Sequence, residues 1–112
     1  MDEVASVAAH EARNRVLVAR LLAKGESLTD VRARDLFFYA PTPESGSALA
    51  RDLQQLGLTA VTVRPTPDHS TWCVKGVLES SVEHLTSAAF TAQLVCVASR
   101  CRSEYDGWGT RP

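Results

Sequence analysis

The sequence predicts an α+β fold in which a ferredoxin-like βαββαβ sandwich is preceded by an N-terminal helix. Two observations indicate this class: segments with helical apolar periodicity alternate with β-branched or aromatic segments, and two of the strand-like segments are consecutive. A length of 112 residues suits one domain. We therefore expect a single domain over residues 1–112, with the N-terminal helix at 1–25 and the ferredoxin-like core at 31–110.

The first predicted element is a helix over residues 3–24. Apolar residues recur at helical spacing in its second half, and Gly25 is a typical C-terminal stop. The resulting stripe consists of Leu17, Val18, Leu21 and Leu22. The first half fits this stripe less well, so we expect it to fray or to pack on a partner.

The segment RARDLFFYA at residues 32–40 follows as a predicted strand. Phe37 and Tyr39 face one side of it, because side chains alternate in direction along a strand. Leu36 and Phe38 face the other side, so both faces are apolar. We therefore expect a central strand that is covered on both sides, with the first helix as the second cover.

A second helix and a β-hairpin come next. Thr42 is a suitable N-cap for a helix that Gly57 ends, and leucines recur along this segment at helical spacing. Residues 58–65 and 71–79 are rich in strand-forming residues, and the loop between them is short. We expect these two strands to pair as a hairpin.

The last predicted helix spans about residues 81–101, and Ser80 and Glu83 have the spacing of a capping box at its start. A stripe of mostly small residues is expected to let this helix lie close on the sheet. The stripe consists of Leu85, Ala88, Ala89, Ala92, Val95, Cys96 and Ser99. A short strand after this helix completes the βαββαβ order.

Composition and charge exclude several classes of protein. A formal net charge of −1 at pH 7 gives no basic field, so we expect no direct nucleic-acid partner. No apolar run approaches the roughly 20 residues of a membrane span, so we expect no membrane partner. The N-terminal residues carry acids and lack the apolar core of a signal peptide, which favours a cytoplasmic protein. Cys73, Cys96 and Cys101 are expected to be reduced and mostly buried.

No group of residues predicts catalysis, a cofactor or a metal. Asp68, His69 and Ser70 are residue types of a catalytic triad, but three consecutive side chains point in different directions. His10 and His84 lack a second histidine or cysteine at ligand spacing, so we expect both at the surface. The glycines form no phosphate-binding loop. We therefore expect a protein that is not an enzyme and uses no cofactor.

The motif EYDGWGT near the end of the sequence sets a bulky Trp108 between Gly107 and Gly109. Glycine in a short strand is typical of a bulge or a close backbone approach, so Trp108 is expected to close the end of the core. Tyr105 and Asp106 are expected to supply a polar partner or a turn beside it. The alternative is that these five residues form a partner-binding edge, because tryptophan and tyrosine are common interface anchors.

This motif resembles the C-terminal motif of the RraB family, regulators of ribonuclease E activity. The similarity extends upstream through the first helix, the aromatic strand and the following helix, so that it covers about residues 17–110. The resemblance implies a cytoplasmic α+β domain without enzymatic activity or cofactor. It also implies a protein inhibitor that binds ribonuclease E outside its catalytic half and changes the composition of the RNA-degrading assembly.

The sequence leaves three functions open. The first is a non-catalytic, protein-binding regulator of RNA degradation, whose partner is ribonuclease E or another nuclease. The second is a stand-alone RraB-like interaction domain with another target, for example an immunity protein that neutralises a toxin. The third is a small-molecule-binding regulatory domain, since ferredoxin-like folds host many functions.

Overall fold

The computed structural model describes residues 3–110 and shows an α+β architecture with one four-stranded antiparallel sheet. The helices are α1 (Glu3–Ala23), α2 (Pro43–Gln55), α3 (Val82–Leu85) and α4 (Ala88–Arg100). The strands are β1 (Arg32–Ala40), β2 (Thr59–Pro65), β3 (Trp72–Ser80) and β4 (Glu104–Thr110). The strand order in the sheet is β2-β3-β1-β4, and every neighbouring pair is antiparallel. The predicted α+β class, the N-terminal helix and the hairpin of β2 and β3 are therefore confirmed.

Strand β1 lies in the centre of the sheet, as predicted, because it pairs with β3 on one side and β4 on the other. Leu36 and Phe38 of β1 are fully buried on the face of the sheet that α2 and α4 cover. Val74 of β3 lies opposite Phe38 and is also fully buried. Burial of side chains of this size stabilises the fold by about 1.5–3 kcal/mol each.

Helix α2 begins as its sequence predicts and approaches the sheet closely. The Thr42 hydroxyl accepts a hydrogen bond from the Ser45 amide at 3.0 Å, which satisfies one amide at the start of the helix. A Cβ built at Gly46 would lie only 2.9 Å from Val63 Cγ1 of β2. The glycine at this position therefore sets the short distance between α2 and the sheet.

The N-terminal helix α1 packs mainly against α4, and not across the second face of the sheet as predicted. Its buried side chains are His10 and Asn14, whereas Leu22 of the predicted apolar stripe is 55% exposed. On the second face of the sheet, Phe37 is half-buried and Tyr39 is exposed. The prediction was wrong because alternating apolar side chains indicate two apolar faces without showing which face a given helix covers.

The single helix predicted over residues 81–101 is divided into α3 and α4. The Ser81 hydroxyl caps α3 by accepting from the amide of the third helical residue at 3.1 Å. The Ser87 hydroxyl caps α4 in the same way at 3.3 Å. The predicted cap at Ser80 is therefore wrong by one residue, and the second cap explains why the helix is interrupted.

Helix α4 turns a different face toward the sheet than the one predicted. Its buried residues are Phe90, Thr91, Leu94, Val95, Val97 and Ala98. Of the predicted stripe, Leu85 and Val95 are buried as expected, whereas Ala88 and Ala92 line grooves beside α1 and Ser99 is exposed. The predicted stripe is thus only partly the buried face.

The three cysteines are unpaired and half-buried, so the expectation that they are mostly buried is wrong. Their redox state stays a prediction. In the part of the chain from residue 3 to residue 110, no helix combines the length and the apolar character that a bilayer crossing requires.

Candidate functional site

A bulge in β4 places the two aromatic side chains of the EYDGWGT motif on the same face of the sheet. Tyr105 lies opposite Phe38 of β1, and Trp108 lies opposite Leu36. In a regular strand these two aromatic side chains would lie on opposite faces, because Tyr105 and Trp108 are three positions apart and side chains alternate in direction. The register shift leaves Asp106 as an extra residue in β4, so both rings face the helices and pack on the buried core.

The His10 side chain of α1 is buried and is hydrogen-bonded at both ring nitrogens. Arg13 Nη2 lies 2.9 Å from Nδ1, which must be the acceptor because a guanidinium can only donate. Nε2 therefore carries the proton and donates to the Tyr105 carbonyl at 2.7 Å. The imidazole also stacks on the Tyr105 ring, with the ring centroids 4.5 Å apart. The expectation that His10 lies at the surface is therefore wrong.

The electrostatic surroundings of His10 favour its neutral form. Burial is the largest effect and lowers the pKa of His10 below its usual value, and the nearby charge of Arg13 acts in the same direction. The hydrogen bond to the Tyr105 carbonyl and the charge of Asp106 favour the cation, but they do not reverse the lowering of this pKa. The contact between α1 and β4 is thus built for a neutral imidazole.

The Trp108 indole is anchored to α1 and not to its neighbours in the motif. Its Nε1 donates a hydrogen bond to Oδ1 of Asn14 at 3.1 Å, whereas Tyr105 and Asp106 were the expected polar partners. Asn14 is 7% exposed, and its Nδ2 donates to the Thr91 hydroxyl of α4 at 3.5 Å. One asparagine thus joins α1 to both α4 and β4. We call the group of His10, Asn14, Tyr105 and Trp108 the α1–β4 latch.

The Tyr105 hydroxyl is a buried polar atom without a hydrogen-bond partner among the described residues. Burial raises the pKa of Tyr105 far above its usual range, so the phenol stays protonated. The ring itself packs on Phe38, with the centroids 5.1 Å apart. Tyr105 therefore contributes to the site through its ring and its backbone carbonyl.

The two glycines of the motif face the side of the sheet opposite to Trp108. Gly107 has a φ of 122°, a backbone conformation that side chains disfavour. A Cβ built at Gly109 would lie 3.8 Å from Cε2 of Phe37, which is an ordinary contact. Gly107 is thus required by the backbone, and neither glycine adds a side chain beside the half-buried Phe37 ring.

The second face of the sheet, which we call the open face, combines aromatic and charged side chains. Strand alternation and the register assign to it Asp35, Phe37 and Tyr39 of β1, Thr62 and Arg64 of β2, Cys73, Lys75, Val77 and Glu79 of β3, and Glu104, Gly107 and Gly109 of β4. Lys75 Nζ lies 5.8 Å from the Phe37 ring centroid and 4.0 Å from a carboxylate oxygen of Asp35. Burial and the nearby charge of Asp106 raise the pKa of the Cys73 thiol, so it stays protonated at neutral pH.

The triad-like residues form a turn between β2 and β3. Asp68 Oδ1 accepts hydrogen bonds from the amide and the hydroxyl of Ser70 and from the Thr66 hydroxyl, at 2.8–3.0 Å. These bonds, led by the one from the Ser70 amide, lower the pKa of Asp68, and His69 takes no part in them. His84 is exposed, as predicted. Between residues 3 and 110, no three side chains of metal-binding type lie together.

A comparison with protein-family models matches residues 11–110 to a family described as regulator of ribonuclease activity B, or RraB. The chain belongs to the RraB family. The matched segment includes Asn14, Tyr105 and Trp108 of the latch, and His10 lies one position before it. The RraB family is by its description a family of regulators, which agrees with the resemblance seen in the sequence. Among curated proteins, none matches the chain significantly.

The latch of this RraB-family chain contains two residues that sequence reasoning missed, His10 and Asn14. They lie four positions apart, and Leu17 and Leu21 continue the same side of α1. Both leucines are half-buried. The sequence signal for the two polar residues is therefore helical spacing alone. Continued from Leu21 and Leu17 toward the N-terminus, this spacing reaches Asn14 and His10 if polar side chains are also allowed on the buried face.

Proposed function

We propose that this RraB-family chain is a non-catalytic protein that binds a nuclease and regulates RNA degradation, as the resemblance to inhibitors of ribonuclease E implies. The family match over residues 11–110 carries the proposal, because it includes the larger part of α1 and the whole EYDGWGT motif. The partner is a protein, ribonuclease E or another nuclease, and the place of action is the cytoplasm.

The proposal includes a single domain over residues 1–112, in which a helix at 1–25 precedes a ferredoxin-like core at 31–110. Read from β4, the strand order is β4-β1-β3-β2 with antiparallel neighbours, which supports the split βαβ arrangement. The hydrogen bonds from α1 to β4 support one domain for both. The two residues at each end of the sequence lie outside the described part.

Within the motif, we assign different roles to the residues that face the helices and to those that face away from them. Tyr105 and Trp108 hold α1 against the sheet, so we propose that they act on function through the fold. Gly107 permits the bulge, and Gly109 leaves room beside the Phe37 ring. Asp106 is exposed, and we propose that it contacts the partner.

The test measures the cleavage of a fluorescent single-stranded RNA by purified ribonuclease E from the same organism, with increasing amounts of this chain. The cleavage rate should fall and reach a plateau, and the chain alone should leave the RNA intact. The isolated catalytic half of the nuclease is the control, and its rate should not change, because the resemblance implies binding outside that half. Unchanged cleavage by the full nuclease, together with no binding in calorimetry, would refute the proposal.

A further inference from the structure

The open face carries more acidic than basic side chains, and the two signs are unevenly distributed. Asp35 and Glu104 lie on the β1 and β4 half of this face, and the bulge residue Asp106 lies beside them. On the β3 and β2 half, the acidic Glu79 is accompanied by the cations Lys75 and Arg64. The half that contains the aromatic side chains of β1 is therefore the acidic half.

Two carboxylates at the edge of this acidic half are exposed and unpaired. The Glu104 and Asp106 carboxylates make neither a hydrogen bond nor an ion pair with any residue from 3 to 110. The charge of Asp106 reaches Tyr39 and Cys73, because it contributes to the raised pKa values of both groups. Asp106 is thus near enough for its charge to act on Tyr39 and Cys73, and the charge of Lys75 opposes it at Cys73 by lowering the pKa of that thiol.

The aromatic side chains beside these carboxylates are accessible to a ligand. Tyr39 is 37% exposed, and the Phe37 ring borders two glycines and not two side chains. The ring already has a cation near it, since Lys75 Nζ lies 5.8 Å from its centroid. The face therefore provides both elements that a cation recognises, a π surface and carboxylates.

The shape of these groups favours arginine over other cations. A guanidinium is planar, stacks on aromatic rings and donates two parallel hydrogen bonds to a carboxylate. RNA would also stack on exposed rings, but its phosphates would be repelled by Glu104 and Asp106. The charge pattern consequently points to a basic protein segment and away from RNA.

We propose that the acidic half of the open face binds an arginine-bearing segment of the protein partner. Guanidinium groups stack on Phe37 and Tyr39 and pair with the carboxylates of Glu104 and Asp106. The identity of that partner as a nuclease rests on the proposed function, whereas the chemistry of the segment follows from the open face alone.

The test compares two doubly substituted variants that each remove two exposed carboxylates. One carries Glu104→Gln and Asp106→Asn on the open face, and the matched control carries Glu26→Gln and Glu44→Gln away from it. Both should unfold in urea at the wild-type midpoint. The open-face variant should bind ribonuclease E about tenfold more weakly at low salt, with a reduced salt dependence, and the control should bind as the wild type does.

A second arm replaces the nuclease with three defined probes: a short alternating arginine–serine peptide, its glutamate–serine counterpart and a single-stranded RNA oligonucleotide. The arginine peptide should shift the NMR amide signals of Phe37, Tyr39 and Asp106, and the other two probes should not. Binding of the RNA at these positions, or peptide shifts confined to other regions, would overturn the inference.

The two arms separate failure of the inference from failure of the proposed function. If ribonuclease E binds the open-face variant as tightly as the wild type, the docking inference is wrong and the proposed function stands. If ribonuclease E does not bind the wild type, the proposed function fails, and the arginine peptide alone then decides whether the open face recognises arginine.

Discussion

Replacing Asn14 with alanine tests the α1–β4 latch directly, because this side chain joins three elements. The substitution removes the acceptor of the Trp108 indole N–H, which lies 3.1 Å away, and the donor to Thr91. Thr91 is fully buried, so its hydroxyl loses a partner that water does not replace. The main effect should therefore come from polar groups left without partners, with a smaller effect from the space that the side chain vacates.

The magnitude follows from these contacts. The indole hydrogen bond contributes about 1 kcal/mol, and the Thr91 hydroxyl adds about 1–2 kcal/mol when it is left unsatisfied. We expect Asn14→Ala to lower the free energy of unfolding by about 2–3 kcal/mol, a large share of the 5–15 kcal/mol that is typical of a domain. Urea unfolding followed by far-UV circular dichroism measures this loss without relying on tryptophan fluorescence.

A double-mutant cycle isolates the indole bond from the rest of the substitution. Trp108→Phe keeps an aromatic ring and removes the indole N–H, so it should lose less stability in the Asn14→Ala background than in the wild type. The coupling free energy should be about 1 kcal/mol. A coupling below about 0.3 kcal/mol, within the error of additive sites, would show that this hydrogen bond does not hold α1 in place.

Three further predictions concern pH, the backbone and the thiols. Because the pKa of His10 in the folded chain lies below its unfolded value of about 6.5, the unfolded chain binds the proton first. The free energy of unfolding should then decrease as the pH falls below about 6.5, by at most about 1.4 kcal/mol per pH unit. His10→Gln should reduce this pH dependence in urea titrations, and an unchanged dependence in the variant would contradict the role of His10. Gly107→Ala should lower the free energy of unfolding by about 1–3 kcal/mol in the same assay, because the φ of Gly107 is 122°. Gly109→Ala should change it by no more than about 0.5 kcal/mol, and equal losses in the two variants would show that the bulge does not require glycine. Unfolding without reductant should expose three reactive thiols per chain, and a count of one would reveal a disulfide.

Elements with strong local signals were predictable from the sequence. Strand β1 has the predicted bounds, and α2 begins at the predicted cap, Thr42. Local side-chain chemistry determines such features, because a capping hydroxyl and an alternating apolar pattern act over a few residues. The same reasoning explains the error at the start of α3, where adjacent serines at 80 and 81 both suit an N-cap and only one is used.

The candidate site was less predictable because its contacts join distant parts of the sequence. The EYDGWGT motif drew attention to Trp108, but nothing local shows that the indole acceptor is Asn14. Polar residues in the first half of α1 do not form an apolar stripe, so the buried face of that half was missed. The open face was missed for a related reason, since Phe37 and Leu36 are equally apolar and only the packing of α2 and α4 distinguishes their two faces.

The sequence separation within the latch has a consequence for the synthesis of this chain. His10 and Tyr105 are 95 positions apart, so at about 5–20 residues per second the ribosome adds Tyr105 about 5–20 s after His10. Throughout that interval β4 is missing, so α1 lacks both of its hydrogen-bond partners in that strand. A nascent chain that stalls before Tyr105 can therefore hold α1 only through α4, the helix against which α1 mainly packs. The α1–β4 latch can thus close only after the ribosome has added Trp108, the last residue of the group in the sequence.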